Sequence, residues 1–463
     1  MNIAVLGSGY IGLVTGTSFA EVGHNVVCVD VDQRRIAQLQ QGRLPVFEPG
    51  LTDLLRANLG SGRLTFTTDL EQALSLCSVV FIVVGTPQRD DGSANLDFVW
   101  TVVDQIREMA RDEKLVVIKS TVPVGTNREA QERLNTGCDM QHRVASNPEF
   151  LREGLAVDDA LGPDRIVIGV GDPKSQQTLE ELYAPFTQRG APLLSMEWES
   201  AEVTKYVADC LLATKISYVN EMANFCEAVG ADINSVRRGI GHDPRIGFHC
   251  FAPGAGYGGP CFPKDIRAMR AMGRSVGASM RILQAVDEVN EAQKSRVLEK
   301  LADQLGSLAG VRIAVWGLAF KPDTDDIRES PGLDLLQQLL EAGAIVQVHD
   351  PQAMDNVRHF FGDDICYGAD PYEAAEATEA VAIMTEWPAF QAVDLGRLRD
   401  TMAGNVIVDG RNLFDPAQMA ASGFRYCSIG RRSVARSLVD VDAIEAMPTT
   451  VPTVPTTPTA PTA

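Results

Sequence analysis

The chain has 463 residues, of which 45% are hydrophobic and 22% charged, and its formal net charge is -20 at pH 7. These are the proportions of a globular protein of two or three domains, long enough to bury its cores without staples. So acidic a surface repels phosphate backbones and argues against a nucleic-acid partner, while nine cysteines with no CxxC pair point away from zinc ribbons, haem attachment and a disulfide framework.

Met1 leads straight into the apolar run Ile3-Ala4-Val5-Leu6, without a basic leader segment. No apolar stretch has the length of a membrane span, so a cytoplasmic protein with reduced thiols, no membrane partner and no bound metal is expected. From there to about residue 195, short β-branched runs alternate with helical patterns. Strands are predicted at 3–6, 26–30, 79–84, 115–119 and 166–170. Strands separated by helices predict a parallel, doubly wound sheet.

The segment 197–230 has no proline and no internal glycine, and its apolar residues Val203, Tyr206, Val207, Cys210, Leu211, Met222, Phe225 and Cys226 fit helical spacing. It predicts one long helix between two lobes. The βα pattern then restarts, with strands at 313–316, 345–348, 381–384 and 406–408 and a helix at 331–342. The fold class is therefore α/β, with two Rossmann-like doubly wound domains joined by a long central helix. The expected domains are 1–196 (dinucleotide-binding), 197–300 (central helical), 301–446 (second nucleotide-binding) and 447–463, a tail rich in proline and threonine and expected to be disordered.

Gly7-Ser8-Gly9-Tyr10-Ile11-Gly12 follows the first strand and opens the first helix. Gly7 allows the tight turn, Gly9 lets backbone approach a pyrophosphate, and Gly12 lets helix and strand pack closely. The helix N-terminus supplies free N–H groups to the anion. The second strand ends at Asp30, whose carboxylate can bind both ribose hydroxyls and would repel a 2′-phosphate, favouring NAD over NADP. Arg34 and Arg35 follow closely and could tolerate a 2′-phosphate, or form a solvated helix start that meets the adenosine phosphates or nothing; NAD remains the expected cofactor.

Cys261 lies in Gly254-Ala255-Gly256-Tyr257-Gly258-Gly259-Pro260-Cys261-Phe262-Pro263-Lys264-Asp265. The four glycines leave its sulfur approachable, and the adjacent cation favours the thiolate. The other eight cysteines read as small buried hydrophobes. Two acids four residues apart, Glu149 and Glu153, share a face if Asn147-Pro148-Glu149-Phe150-Leu151-Arg152-Glu153-Gly154 is helical; so do Lys205 and Asp209 in the long helix. Ser120-Thr121-Val122-Pro123 follows a strand, where ligands gather in open α/β sheets.

Together with Phe47-Glu48-Pro49-Gly50-Leu51, Val84-Gly85-Thr86-Pro87 and the stretch from Gly317 to Ser330, these motifs resemble the nucleotide-sugar 6-dehydrogenases over nearly the whole chain before the tail. The resemblance implies oxidation of a sugar C6 alcohol to a carboxylate with two NAD+ used at one site, UDP-glucose giving UDP-glucuronate, with GDP-mannose the main alternative. It makes Cys261 the nucleophile, Lys205 the oxyanion stabiliser, Glu149 the base or water activator, and Thr121 and Asp265 their polar helpers, with Asp209 beside them. Gly7, Gly9, Tyr10, Ile11, Gly12, Asp30, Arg35, Thr86, Thr121, Glu153 and Arg328 fall on cofactor positions. Glu149, Phe150, Leu151, Lys205, Arg245, Tyr257, Gly258, Phe320, Lys321 and Arg411 fall on sugar-nucleotide positions, Arg245 acting across the interface of a homodimer or higher assembly. Asp209 stands where the family usually has Asn, and Pro260 where many members have Ser. A two-electron β-hydroxyacid dehydrogenase and a non-catalytic NAD-binding regulator are the competing readings; neither needs the cysteine.

Overall fold

The computed structural model describes residues 1–137 and 139–433; the predicted tail lies outside the described residues. The first sheet comprises β1 (Asn2–Leu6), β2 (Asn25–Val29), β3 (Leu64–Thr67), β4 (Val79–Ile82), β5 (Leu115–Ile118), β6 (Arg143–Ser146), β7 (Ile166–Val170) and β8 (Leu193–Met196), in the order β3-β2-β1-β4-β5-β6-β7-β8. β4 and β5 are buried at every residue, because helices cover both faces, and so they read as unbroken apolar runs. β3, β6 and β8 have no such runs, and sequence patterning missed them.

The sheet is parallel only as far as β6. β7 pairs antiparallel with β6, and β8 runs parallel to β7. This corrects the expectation of a uniformly parallel sheet. The connection between β6 and β7 contains the short helix Ala156–Leu161, and it leaves and re-enters the sheet at the same end. The loop that begins at Asn147 therefore stays at the carboxyl edge, where α/β sheets place ligands.

The long helix Trp198–Val229 runs for 32 residues and stops at Gly230, which takes the left-handed conformation. It packs on the helices Phe262–Ser275 and Arg281–Lys294. Among the described residues, no helix is long and apolar enough to cross a membrane.

The second sheet comprises β9 (Arg312–Trp316), β10 (Ile345–His349), β11 (Cys366–Tyr367), β12 (Ala380–Ile383), β13 (Val406–Asp409) and β14 (Arg425–Ser428), in the order β11-β10-β9-β12-β13-β14, with every pair parallel. Its first unit repeats the packing device of the first domain. A Cβ on Gly12 would lie 1.8 Å from the Gly7 carbonyl oxygen, and one on Gly332 would lie 2.7 Å from that of Gly317. In the first domain residues 7–9 join strand to helix; in the second, residues 317–330 intervene before the helix Pro331–Glu341. Asp350, just after β10, corresponds in place to Asp30 but is only 1% exposed. Its oxygens accept from the N–H groups of Leu318, Ala319, Gln352 and Ala353 and from the Trp387 indole.

Candidate active site

The cofactor face forms where the strand order reverses between β1 and β4. Gly7 has φ of +104°, and a Cβ there would strike the Val83 carbonyl at 2.6 Å, so the turn itself demands glycine. Around Gly9 no described atom lies within 4 Å of a Cβ position. Gly9 caps the helix Tyr10–Glu21 without a side chain, leaving its N–H groups for an anion. The Asp30 carboxylate accepts from Ser8 N at 2.8 Å and pairs with Arg35 at 3.1 Å. Arg35 is thus drawn onto the acid, with its side chain still 38% exposed. Thr86, after β4, donates to the Thr121 carbonyl at 2.9 Å, tying two loops of this edge together.

The long helix brings Lys205 and Asp209 under the same edge. Both are almost completely buried. Lys205 Nζ lies 3.2 Å from Glu149 and 3.0 Å from Asp209. Burial opposes the Lys205 charge, but Glu149 and Asp209 outweigh it and hold its pKa well above the usual lysine range. Glu202, on the same helix, accepts from Gly125 N and Asn127 N at 2.6 and 2.8 Å, which docks the helix against the loop carrying Thr121.

Cys261 caps the helix Phe262–Ser275. Burial pushes its thiol up; Lys205 pulls it down, and Glu149, Asp209 and Asp265 push it further up. Two expectations change here. The cation acting on the sulfur is Lys205, because Lys264 is ion-paired with Asp265. Burial, with three carboxylates adding to it, favours the neutral thiol over the thiolate.

Asp209 is pushed up to about 7, chiefly by burial, with Lys205 opposing and Asp265 adding to the rise. As pH rises through 7, Asp209 loses its proton and places a charge beside the thiol. Asp209→Asn is therefore expected to raise kcat by about tenfold above neutral pH, equivalent to one pKa unit of altered interaction, and to leave the rate unchanged below about pH 6. Paired pH–rate profiles check this; superimposable profiles would refute it.

The substrate side is built by the second domain. Residues 317–330 reach across to the first: Phe47 N donates to Asp325, Thr324 donates to Glu153 at 3.2 Å, and Arg328 lies 3.7 Å from Glu153. Burial, with Asp326 adding, pushes Glu153 up to about 7. A Cβ on Gly258 would meet the Glu329 carbonyl, and one on Gly259 the Phe320 ring. The glycines before Cys261 thus serve the packing of this insertion rather than bare access to the sulfur. Asn220, Asn290 and Gln293 clamp the backbone of Gly254 and Tyr257. Arg411 follows β13 and donates to the Met384 carbonyl, with Phe320 alongside. Burial lowers the Lys321 pKa, while Glu153 and Glu48 raise it.

The loop 147–154 is irregular, not helical, so Glu149 and Glu153 diverge. Glu149 also accepts from Leu151 N at 2.7 Å, and Phe150 stacks beneath Arg165 at 3.7 Å. Arg245 alone stands apart: its side chain is 87% exposed and paired with Asp243. Sequence reasoning missed Lys119. It is buried at the end of β5 and donates to Asn147 at 3.0 Å; burial lowers its pKa to about 8, with Glu149 raising and Lys205 lowering it. A lysine closing an otherwise apolar strand was the available signal.

A dinucleotide turn, a buried lysine–carboxylate cluster and a cysteine facing a second nucleotide-type domain define an NAD-dependent oxidoreductase. Family descriptions match in three parts: the NAD-binding domain over residues 1–187, the central domain over 199–292 and the UDP-binding domain over 314–416. The chain belongs to the UDP-glucose/GDP-mannose dehydrogenase family. It is 45% identical over 442 residues to UDP-glucose 6-dehydrogenase of Pseudomonas aeruginosa, covering 93% of this chain and 98% of that one. A UDP-glucose dehydrogenase structure from Pyrobaculum islandicum superposes with a TM-score of 0.85 at 41% identity, covering 92% and 96%. A UDP-D-ManNAc dehydrogenase from Pyrococcus horikoshii gives 0.81 at 27% identity, covering 93% and 99%.

Proposed function

We propose that this enzyme oxidises UDP-glucose to UDP-glucuronate in two successive two-electron steps. The observation that carries the reading is the buried Lys205–Glu149 pair at 3.2 Å, whose two charges act on the Cys261 sulfur. Residues 7–12, Asp30, Arg35 and Thr86 would hold NAD+, which would supply the hydride acceptor. The sugar nucleotide is held by Phe150, Leu151, Tyr257, Gly258, Phe320, Lys321 and Arg411.

The C6 alcohol gives its hydroxyl proton through Glu149 to solvent and its C6 hydride to the bound nicotinamide, leaving an aldehyde. The Cys261 sulfur adds to the aldehyde carbon while its proton passes to the neighbouring carboxylates, and the new oxyanion rests against Lys205. Loss of the second hydride turns the thiohemiacetal into a thioester. Glu149 takes a proton from water, which attacks the thioester and releases the carboxylate product and free thiol. Thr121 and Asp265 position these partners.

The same reading includes a homodimer or higher assembly. Val207, Leu211, Tyr218, Phe225 and Val229 form an exposed apolar stripe along the long helix, and in such an assembly Arg245 reaches a neighbour's site. A reducing cytoplasm keeps Cys261 free. The test is to supply purified enzyme and NAD+ with UDP-glucose, GDP-mannose and a UDP-N-acetylhexosamine in turn, counting NADH per sugar. UDP-glucose is expected to give two. One NADH per sugar would remove the thioester route, and preference for GDP-mannose would reassign the substrate.

A further inference from the structure

The segment Phe47-Glu48-Pro49-Gly50 has no place in the chemistry above, yet it sits where three functional parts meet. The Glu48 side chain is buried, 4% exposed, and among the described residues no cation lies in ion-pair contact with it. Its oxygens accept from three neutral donors. The Tyr10 hydroxyl, from the glycine turn, and the Gly154 N–H at 2.6 Å reach Oε2. The Ala156 N–H, opening the helix Ala156–Leu161, reaches Oε1 at 2.7 Å. One carboxylate thus joins the cofactor turn to the end of the loop that carries Glu149, Phe150 and Leu151.

The third part is the insertion of the second domain. A Cβ on Gly154 would lie 2.8 Å from the Asp323 side chain and carbonyl oxygen, and the residue beside Glu48 donates its own N–H to Asp325 at 3.4 Å. Displacing Glu48 therefore displaces the sugar loop against the insertion.

We propose that Glu48 is a positioning residue that couples the two ligand sites: a dinucleotide on the glycine turn fixes Tyr10, Tyr10 fixes Glu48, and Glu48 orders the sugar loop in advance. A loop already ordered loses less conformational freedom when the sugar nucleotide arrives, so each ligand tightens the other. This rests on the proposed assignment of the two sites. It gives the motif a task the double oxidation requires, because the loop must stay set while one cofactor leaves and another enters.

The experiment is calorimetric titration of the full-length enzyme with UDP-glucose, with and without saturating NADH, which permits no turnover. Wild type is expected to bind UDP-glucose about fivefold or more tightly with NADH present, the lower end of usual coupling. Tyr10→Phe removes one hydroxyl and leaves both backbone bonds to Glu48, so it keeps the fold; its ratio is expected to fall to within about twofold of one. Glu48→Gln is expected to do the same, and the double variant to lose nothing further. A purely structural role would weaken both affinities and leave the ratio intact. A wild-type ratio near one, or full coupling in Tyr10→Phe, overturns the proposal. Failure of wild type to bind UDP-glucose at all would instead sink the assigned substrate, and the coupling through Glu48 with it.

Discussion

Cys261→Ser is expected to lower turnover of UDP-glucose to UDP-glucuronate by on the order of 10⁶-fold, the scale of losing a nucleophile, while leaving the affinities for NADH and UDP-glucose within about twofold. The reason lies in the charges around the sulfur. Burial and three carboxylates already oppose an anion there, with Lys205 as the cation pulling the other way. A thiol still reaches the thiolate in such a setting, whereas a serine hydroxyl, intrinsically far less acidic, does not. The substitution is nearly isosteric, so stability should change by less than about 1 kcal/mol. Steady-state NADH release with mass analysis of trapped adducts checks the prediction. A serine enzyme with full turnover would end the covalent route.

Removing the cation should be nearly as damaging, for a second reason. Lys205→Met leaves Glu149 and Asp209 buried without their shared partner. Breaking such a buried group of charges costs about 3–5 kcal/mol of stability, and loss of the oxyanion stabiliser costs on the order of 10³-fold in kcat. The sulfur reports the same loss directly. Without Lys205 the thiolate is less favourable, so the Cys261 pKa rises and its alkylation by iodoacetamide shifts to higher pH. An unshifted alkylation profile would show that Lys205 does not act on the sulfur.

Much of this was legible in the chain because local rules carry it. The glycine turn needs only a strand, a tight turn and a helix, and residues 1–30 contain all three. The long helix announces itself by 32 residues without an interior breaker. What stayed hidden depends on tertiary neighbours. The reversal at β7 follows from where a connection re-enters the sheet, which periodicity does not encode. Glu149 and Glu153 are four apart, a helical spacing, but the loop is irregular and sends one to the lysine and the other to the second domain. The lysine adjacent to Cys261 in sequence proved paired elsewhere, and the relevant cation came from 56 positions earlier. Lys119 closes an otherwise apolar strand and Glu48 lies within a motif, but what each side chain holds follows only from its burial and its partners.

The saturated carboxylate of Asp350 has a kinetic meaning. With every lone pair of that acid directed at its own chain, the second Rossmann-like unit retains the shape of a dinucleotide berth but not the free acid that would grip a ribose. Both hydrides of one sugar must then leave through a single doorway, one after the other. On the proposed thioester route the sugar would wait between the two departures, bonded to Cys261, for as long as the exchange takes. On that route the lifetime of the tethered state would be set by the supply of oxidised cofactor, and a cell short of NAD+ would stall the enzyme half-way with its substrate fastened on, rather than spill a free aldehyde.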